Sequence, residues 1–160
     1  MKHMKQQPLP YRHGVGMMVI NDKNQVFVAR RLDSSAQAWQ MPQGGVDDGE
    51  SEAQAALREL KEEIGTDRVQ ILGQSKGYYT YDIPAKMLGR LWAGRYRGQQ
   101  QRWFLMRFLG EDTDININTD HPEFAEWRWV ELGELPELVI WFKRKTYQDL
   151  VEEFEEVIDP

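Results

Sequence analysis

Glu59, Glu62 and Glu63 stand at i, i+3 and i+4 in a stretch that reads GGVDDGESEAQAALRELKEEIGT from Gly44 to Thr66. On a helix that spacing gathers three carboxylates on one face, where like charges repel and weaken the helix. Such a face calls for a positive partner. A hard divalent cation answers it, and Mg²⁺ suits sites where phosphate oxygens complete its shell. The plain alternative is a solvated acidic helix face, which is common in proteins.

The surrounding residues predict a helix. Ser51-Glu-Ala-Gln54 is a capping box, so Ser51 is the expected N-cap. Ala53, Ala56, Leu57, Leu60 and Ile64 recur as an apolar stripe. Gly65 is placed to stop the helix in a left-handed conformation. Arg58 sits next to the carboxylates, within reach of Glu50. Gly44, Gly45 and Gly49 predict a tight, irregular lead-in. The helix therefore buries one face and presents acid on another.

The whole stretch resembles the Nudix box, Gly-x5-Glu-x7-Arg-Glu-U-x-Glu-Glu-x-Gly-U, where U is a bulky apolar residue. Gly44, Glu50, Arg58, Glu59, Leu60, Glu62, Glu63 and Gly65 fall on its places, and Thr66 stands where a larger aliphatic residue is usual. That departure is expected to cost packing and no chemistry. The resemblance extends through Tyr11-Arg12, Gly14-Val15-Gly16, Ala29-Arg30-Arg31, Trp39 to Gly45, Gly98 to Phe104, Pro122-Glu123-Phe124, Trp127 to Val130 and Phe142-Lys143-Arg144. These segments together are similar to one bacterial branch of the family, the RNA pyrophosphohydrolases and (di)nucleoside polyphosphate hydrolases. His13 departs from that branch, which usually has proline there.

The resemblance implies an α+β fold, an α/β/α sandwich around a mixed β-sheet. It implies hydrolysis of a pyrophosphate bond, either at the 5′-triphosphate end of RNA or in a dinucleoside polyphosphate such as diadenosine tetraphosphate. Two or more Mg²⁺ or Mn²⁺ ions would be held by Glu59, Glu62, Glu63 and Glu123, and Glu62, Glu63 or Glu123 would take the proton of the attacking water. Gly44, Glu50, Arg58 and Gly65 have structural roles within the box. Arg12 and Arg31 match substrate-contacting positions, with Arg30 competing for the second. Tyr81 matches a tyrosine whose hydroxyl meets phosphate. Phe142 and Lys143 match positions beside the terminal base. Gln99, Gln101 and Arg102 are further candidates for lining the phosphate channel. Two other readings stay open: a Nudix hydrolase of nucleoside triphosphates or nucleotide sugars, and a nucleotide-sensing module without catalysis. The complete set of box carboxylates speaks against the sensor.

Composition bounds what remains. A chain of 160 residues suits one domain spanning 1–160, with residues 1–10 expected to fray. There is no cysteine, so disulfides and thiolate-bound zinc are excluded. Neither a membrane-length apolar run nor the apolar core of a signal peptide is present, which makes the cytoplasm the expected compartment. The net charge of −6 argues against bulk, nonspecific binding to nucleic acid. Yet Lys86 to Gly110 holds Lys86, Arg90, Arg95, Arg97, Arg102 and Arg107 and no acid. A basic segment beside an acidic helix suits a polyphosphate bound through both cation and arginine; the alternative for these arginines is a solvated sheet edge paired with the acidic C-terminal helix. The isolated His3, His13 and His121 do not form a zinc motif.

Periodicity predicts strands over 15–20, 26–31, 69–73, 77–83, 102–109 and 126–130. A short helical turn is expected over 132–135 before Pro136, and an amphipathic helix over 139–157. Glu152, Glu153, Glu155 and Glu156 are expected to form a solvated face of that last helix. Protein partners are not legible in the sequence.

Overall fold

Alternation along one strand, β1 (Tyr11–Ile20), decides the layering. Val15, Met17 and Val19 join one buried cluster, and Met18 and Ile20 join another. A strand buried on both faces must lie inside a sandwich. The computed structural model describes residues 8–33 and 37–159, so most of the fraying expected at the amino end lies outside the described residues.

The central sheet runs β3 (Trp39–Gln40), β2 (Val26–Arg31), β1, β7 (Gly98–Phe108) and β5 (Val69–Gln74). Three shorter pieces complete it: β4 (Gln43–Gly45) on β1, β6 (Tyr79–Asp82) on β7 and β8 (Phe124–Val130) on β2. β1 and β7 are parallel and the other pairings are antiparallel, which makes the sheet mixed. Helix α1 (Glu52–Ile64) covers one face with Ala55, Ala56, Leu60 and Ile64. The other face is covered by α2 (Leu135–Leu138) and α3 (Arg144–Ile158), through Leu135, Tyr147, Leu150 and Phe154. This is the expected α/β/α arrangement.

Helix α1 has both expected ends. The Gln54 backbone N–H donates to Ser51 Oγ at 3.1 Å, and the Ser51 N–H donates to Gln54 Oε1 at 2.9 Å. Gly65 adopts φ 80°, and its N–H closes on the Lys61 carbonyl at 3.0 Å. Thr66 is buried, and its hydroxyl accepts the Arg68 backbone N–H at 3.1 Å, so it forms a turn where an aliphatic residue would only pack.

Several expected boundaries move. β1 begins at Tyr11 and β7 at Gly98, each four residues earlier than periodicity predicts, because the two strands satisfy one another in register from Tyr11↔Gly98 onward. The expected last helix instead starts at Arg144. Val139 and Ile140 are extended, and a 3₁₀ turn at Trp141–Lys143 follows. Both are β-branched, and Val139 packs into the core. Pro136 lies in the first turn of α2, where its missing N–H costs nothing. Glu153 also departs from expectation: Tyr79 Oη donates to its carboxylate at 2.6 Å, and the Lys76 N–H donates to it at 2.8 Å. Its neighbours Glu152, Glu155 and Glu156 are exposed.

Candidate active site

Strand register builds one wall of the site. Arg12 on β1 lies opposite Gln99 on β7, and Gln99 lies opposite Tyr81 on β6. The three residues therefore form a single rung across three strands. Gln99 Nε2 donates to Tyr81 Oη at 3.1 Å, and Gln43 Nε2 donates to the same oxygen at 3.3 Å. With both acceptor positions engaged, the Tyr81 hydroxyl is left to donate its own proton. The Lys143 ammonium lies 5.1 Å from the centre of the Tyr81 ring, and the Phe142 ring lies 5.9 Å from it. Lys143 is buried, yet it makes no ion pair among the described residues. A buried ammonium without a carboxylate is an invitation to an anion.

Helix α1 and two loops build the opposite wall. Gly44 on β4 lies so close to α1 that a β-carbon there would fall on the Glu59 carboxyl group. This is the physical reason for glycine at the first box position. Glu63 is buried, and its Oε2 has no hydrogen-bond partner among the described residues. Burial pushes the Glu63 carboxyl well above the ordinary glutamate range, and the charges of Glu123 and Glu59 push the same way. Burial also raises Glu59, assisted by Glu62 and Glu123 and opposed by Arg58. Glu123 reaches the site because the Leu32 N–H donates to its carbonyl at 2.9 Å, joining the loop before β8 to the end of β2.

A register shift in the β2–β8 pairing between Arg30 and Arg31 separates these two arginines. Arg30 is held by Glu126 at 2.8 Å, while Arg31 lines the cleft and is paired twice with Asp33 at 2.8 Å. Of the two, only Arg31 lines the cleft. Arg58 organises the box from outside the cleft. It donates to Glu50 at 2.7 and 2.9 Å, to Glu59 at 3.0 Å and to the Gly45 carbonyl at 2.8 Å. In return, Arg58 and the Asp47 backbone N–H hold the Glu50 carboxyl down at about 2.

The cleft holds about 550 Å³. It brings together Arg12, Arg31, Gly44, Glu59, Glu63, Tyr81, Gln99, Glu123, Phe142 and Lys143 of the sequence candidates. Besides Arg30 and the structural Glu50, Arg58 and Gly65, three candidates for metal or substrate contact stand outside it. Glu62 is exposed and leans on Arg58 at 3.3 Å, so the positive group over that part of the acidic face is the chain's own arginine. Gln101 is fully buried one rung behind the wall: its Nε2 donates to Gln43 Oε1 at 3.0 Å, and its Oε1 accepts from Trp103 Nε1 at 3.2 Å. It steadies Gln43 and does not line a channel. Arg102 points to the α1 face, where it meets Glu52 at 3.3 Å and the Ser75 carbonyl at 2.8 Å and lies over the Tyr78 ring. Strand alternation puts it on the side opposite Gln99. His13 joins that same group through Glu52 at 2.6 Å. None of the arginines from Arg90 to Arg107 pairs with α3 among the described residues.

Sequence reasoning singled out the basic run that brings Arg90 to the cleft but missed Met87, Leu91 and Trp92 beside it. The segment's one signal was a run of basic and aromatic residues free of acid. Asp33, which lies in no motif, and Gln43, which lies in the Trp39 to Gly45 segment, were also missed as site residues.

The donor set fits a hard divalent cation. Four carboxylates line the cleft; Arg31 pairs with Asp33, which leaves Glu59, Glu63 and Glu123. Burial raises Glu59 and raises Glu63 strongly, and one Glu63 oxygen is buried without a partner among the described residues. As placed, no three His, Asp or Glu side chains among the described residues converge closely enough to hold one ion alone.

Comparison with known proteins agrees with this chemistry. The NUDIX domain family matches residues 10–150. An RNA pyrophosphohydrolase of Rickettsia africae is 55% identical over 150 residues, which covers 94% of this chain and 93% of that protein. Another, from Rickettsia conorii, is 54% identical over 154 residues, covering 96% of both chains. In fold, the chain is similar to the E. coli dihydroneopterin triphosphate pyrophosphohydrolase, with a TM-score of 0.69 and 22% identity over 90% of this chain and 99% of that one. A C. elegans Ap4A hydrolase gives a TM-score of 0.64 and 20% identity, over 91% and 97% of the two chains.

Proposed function

The chain belongs to the Nudix family, whose hydrolases need divalent metal ions, and we infer from that membership and from the cleft that it cleaves a pyrophosphate bond at the 5′-triphosphate end of RNA. The observation that carries this reading is the meeting of unlike charges in one cleft. Glu59, Glu63 and Glu123 share it with Arg12, Arg31 and Lys143, the last without an ion pair among the described residues. A polyphosphate satisfies both sets, its oxygens reaching the acids through a cation and the bases directly.

Mg²⁺ or Mn²⁺, in two or more copies, would be held by Glu59, Glu63 and Glu123, with Glu62 joining when its side chain leaves Arg58. Such ions neutralise phosphate oxygens and acidify bound water. The protein's own groups do the rest. Arg12, Arg31 and Lys143 hold the charge that develops on the leaving phosphate. The Tyr81 hydroxyl donates to a phosphate oxygen, and Gln43 and Gln99 fix its direction. Phe142 offers a ring for the terminal base. Glu62, Glu63 or Glu123 accepts the proton of the attacking water. Water adds to phosphorus, the P–O bond of the anhydride breaks, and the RNA is left with a 5′-monophosphate plus pyrophosphate or successive phosphates.

Dinucleoside polyphosphates are the second substrate class. Two of the aromatic residues lining the cleft pack at the two ends of the Arg12–Gln99–Tyr81 rung, Phe142 on Tyr81 and Trp92 on Arg12, which suits a nucleobase at either end of a phosphate chain. No helix of the described residues is long and apolar enough to cross a membrane. The cytoplasm, where RNA is turned over, is the compartment that this reading implies. The test is incubation with Mg²⁺ or Mn²⁺ and triphosphate-ended RNA, diadenosine tetraphosphate, dGTP or ADP-ribose, followed by identification of the products. Monophosphate-ended RNA is the expected product. Tight binding of RNA without release of phosphate would point to a sensor and overturn the reading.

A further inference from the structure

The segment between β6 and β7 does more than close the cleft. It consists of two 3₁₀ turns, Ala85–Met87 and Leu91–Gly94, and holds no acidic residue. Arg90 lines the cleft, and Lys86 and Arg95 lie further along the same exposed segment. None of the three lies within ion-pair distance of a carboxylate among the described residues, whereas the adjacent Arg97 is paired with Asp82 at 2.6 Å. On a chain with a net charge of −6, such a series makes a local patch of positive potential.

The segment is also anchored. Trp92 and Ala93 adopt φ 52° and 55°, a left-handed pair that costs roughly 1–2 kcal/mol per residue and persists only where neighbours enforce it. The enforcing contacts are visible. The Arg12 guanidinium lies 5.6 Å from the centre of the Trp92 ring, and Tyr96 meets that ring edge-on at 6.0 Å. The basic ledge is thus held against the same arginine that faces the phosphate site.

We propose that Lys86, Arg90 and Arg95 form a track for the phosphodiester backbone of an RNA strand leaving the cleft, so that the chain grips nucleotides downstream of the triphosphate end. The proposal rests on the reading of the cleft as an RNA 5′-end site. It makes RNA, with its continuing chain of phosphates, a better ligand than any free nucleotide. Each phosphate neutralised on a single strand adds about 0.7 to the slope of log affinity against log salt.

The test compares the unaltered protein with a Lys86→Gln/Arg95→Gln double variant, neither residue being in the cleft wall. Two ligands are used, a 5′-triphosphorylated RNA of about ten nucleotides and a nucleoside triphosphate, with charge arithmetic as above. Losing two contacts should make RNA affinity less salt-dependent, by about sevenfold between roughly 50 and 200 mM salt. In hydrolysis the KM for the RNA should rise while kcat holds, the nucleoside triphosphate should be untouched, and Lys86→Arg/Arg95→Lys should restore RNA binding. An equal loss with both ligands, or an unchanged salt slope, would overturn the proposal. So would unchanged RNA affinity, the result expected if the ledge instead meets an acidic protein. Because binding is read directly, a chain that gripped RNA through the ledge but hydrolysed nothing would defeat the hydrolase reading and leave the track standing.

Discussion

Replacing Glu63 by glutamine should make the metal-free protein more stable and the enzyme inactive. Glu63 is only 4% exposed, its Oε2 is unpartnered, and Glu123 and Glu59 crowd it. Its carboxyl is raised in the folded state above its unfolded value, so the stability it supports is complete at acid pH and drains away as pH rises through the raised value. Glutamine keeps the shape and removes the charge. An unsatisfied buried polar group costs about 1–3 kcal/mol, and more when ionised. For a domain of this size each kcal/mol shifts Tm by about 2–4 °C. The variant in chelator should therefore melt several degrees above the unaltered protein at about pH 8, with the gap closing toward acid. Thermal melts across pH, with chelator or with Mg²⁺, read this out. Added Mg²⁺ should stabilise the unaltered protein more than the variant, while phosphate release from triphosphate-ended RNA falls to background in the variant. A variant less stable than its parent in chelator at alkaline pH, or one turning over normally, would refute the reasoning.

Glu50→Gln should flatten the acid limb of stability. Arg58 holds the Glu50 carboxyl at about 2, so its contribution is present above the ordinary carboxylate range and is lost as pH falls toward that value; acid melts of the two proteins should converge near pH 2. Gly44→Ala should drive the Glu59 carboxyl from its place, cutting kcat while costing about 1–3 kcal/mol in denaturant unfolding. Tyr147→Phe strands the Met41 backbone N–H, which donates to the tyrosine oxygen at 2.8 Å deep in the core. It should cost about 1–3 kcal/mol in chemical denaturation and leave KM unchanged.

Local chemistry was legible wherever it acts over a few residues. The Ser51–Gln54 box and the Gly65 stop follow from spacing along one helix, and the Glu50–Arg58 pair joins that helix to the loop just before its N-cap. What spacing could not supply is the sheet. The parallel register of β1 on β7 joins residues some 87 positions apart, and it alone places Arg12 beside Gln99. The same limit explains Gln101, which lies on rungs of β7 that were not foreseen. Arg102 instead lay inside the expected strand, and alternation with Phe104 and Met106 was the signal that could have placed it on the α1 face. Glu62 and Glu63 are adjacent in sequence and opposite in burial, because the helix turns one to solvent and the other toward Gln43 and Glu123. The cleft wall at Met87–Trp92 has neither motif nor period, being irregular backbone set by the packing of Trp92 on Arg12 and Tyr96.

The most direct measurement is Mn²⁺ binding followed by spin resonance, in the presence of a non-hydrolysable triphosphate analogue. It would compare the unaltered protein with Glu59→Gln, Glu63→Gln and Glu123→Gln variants. The carboxylate cleft predicts that bound manganese and analogue fall together in each variant. Manganese held equally well by all four proteins would place the metal elsewhere and contradict the account.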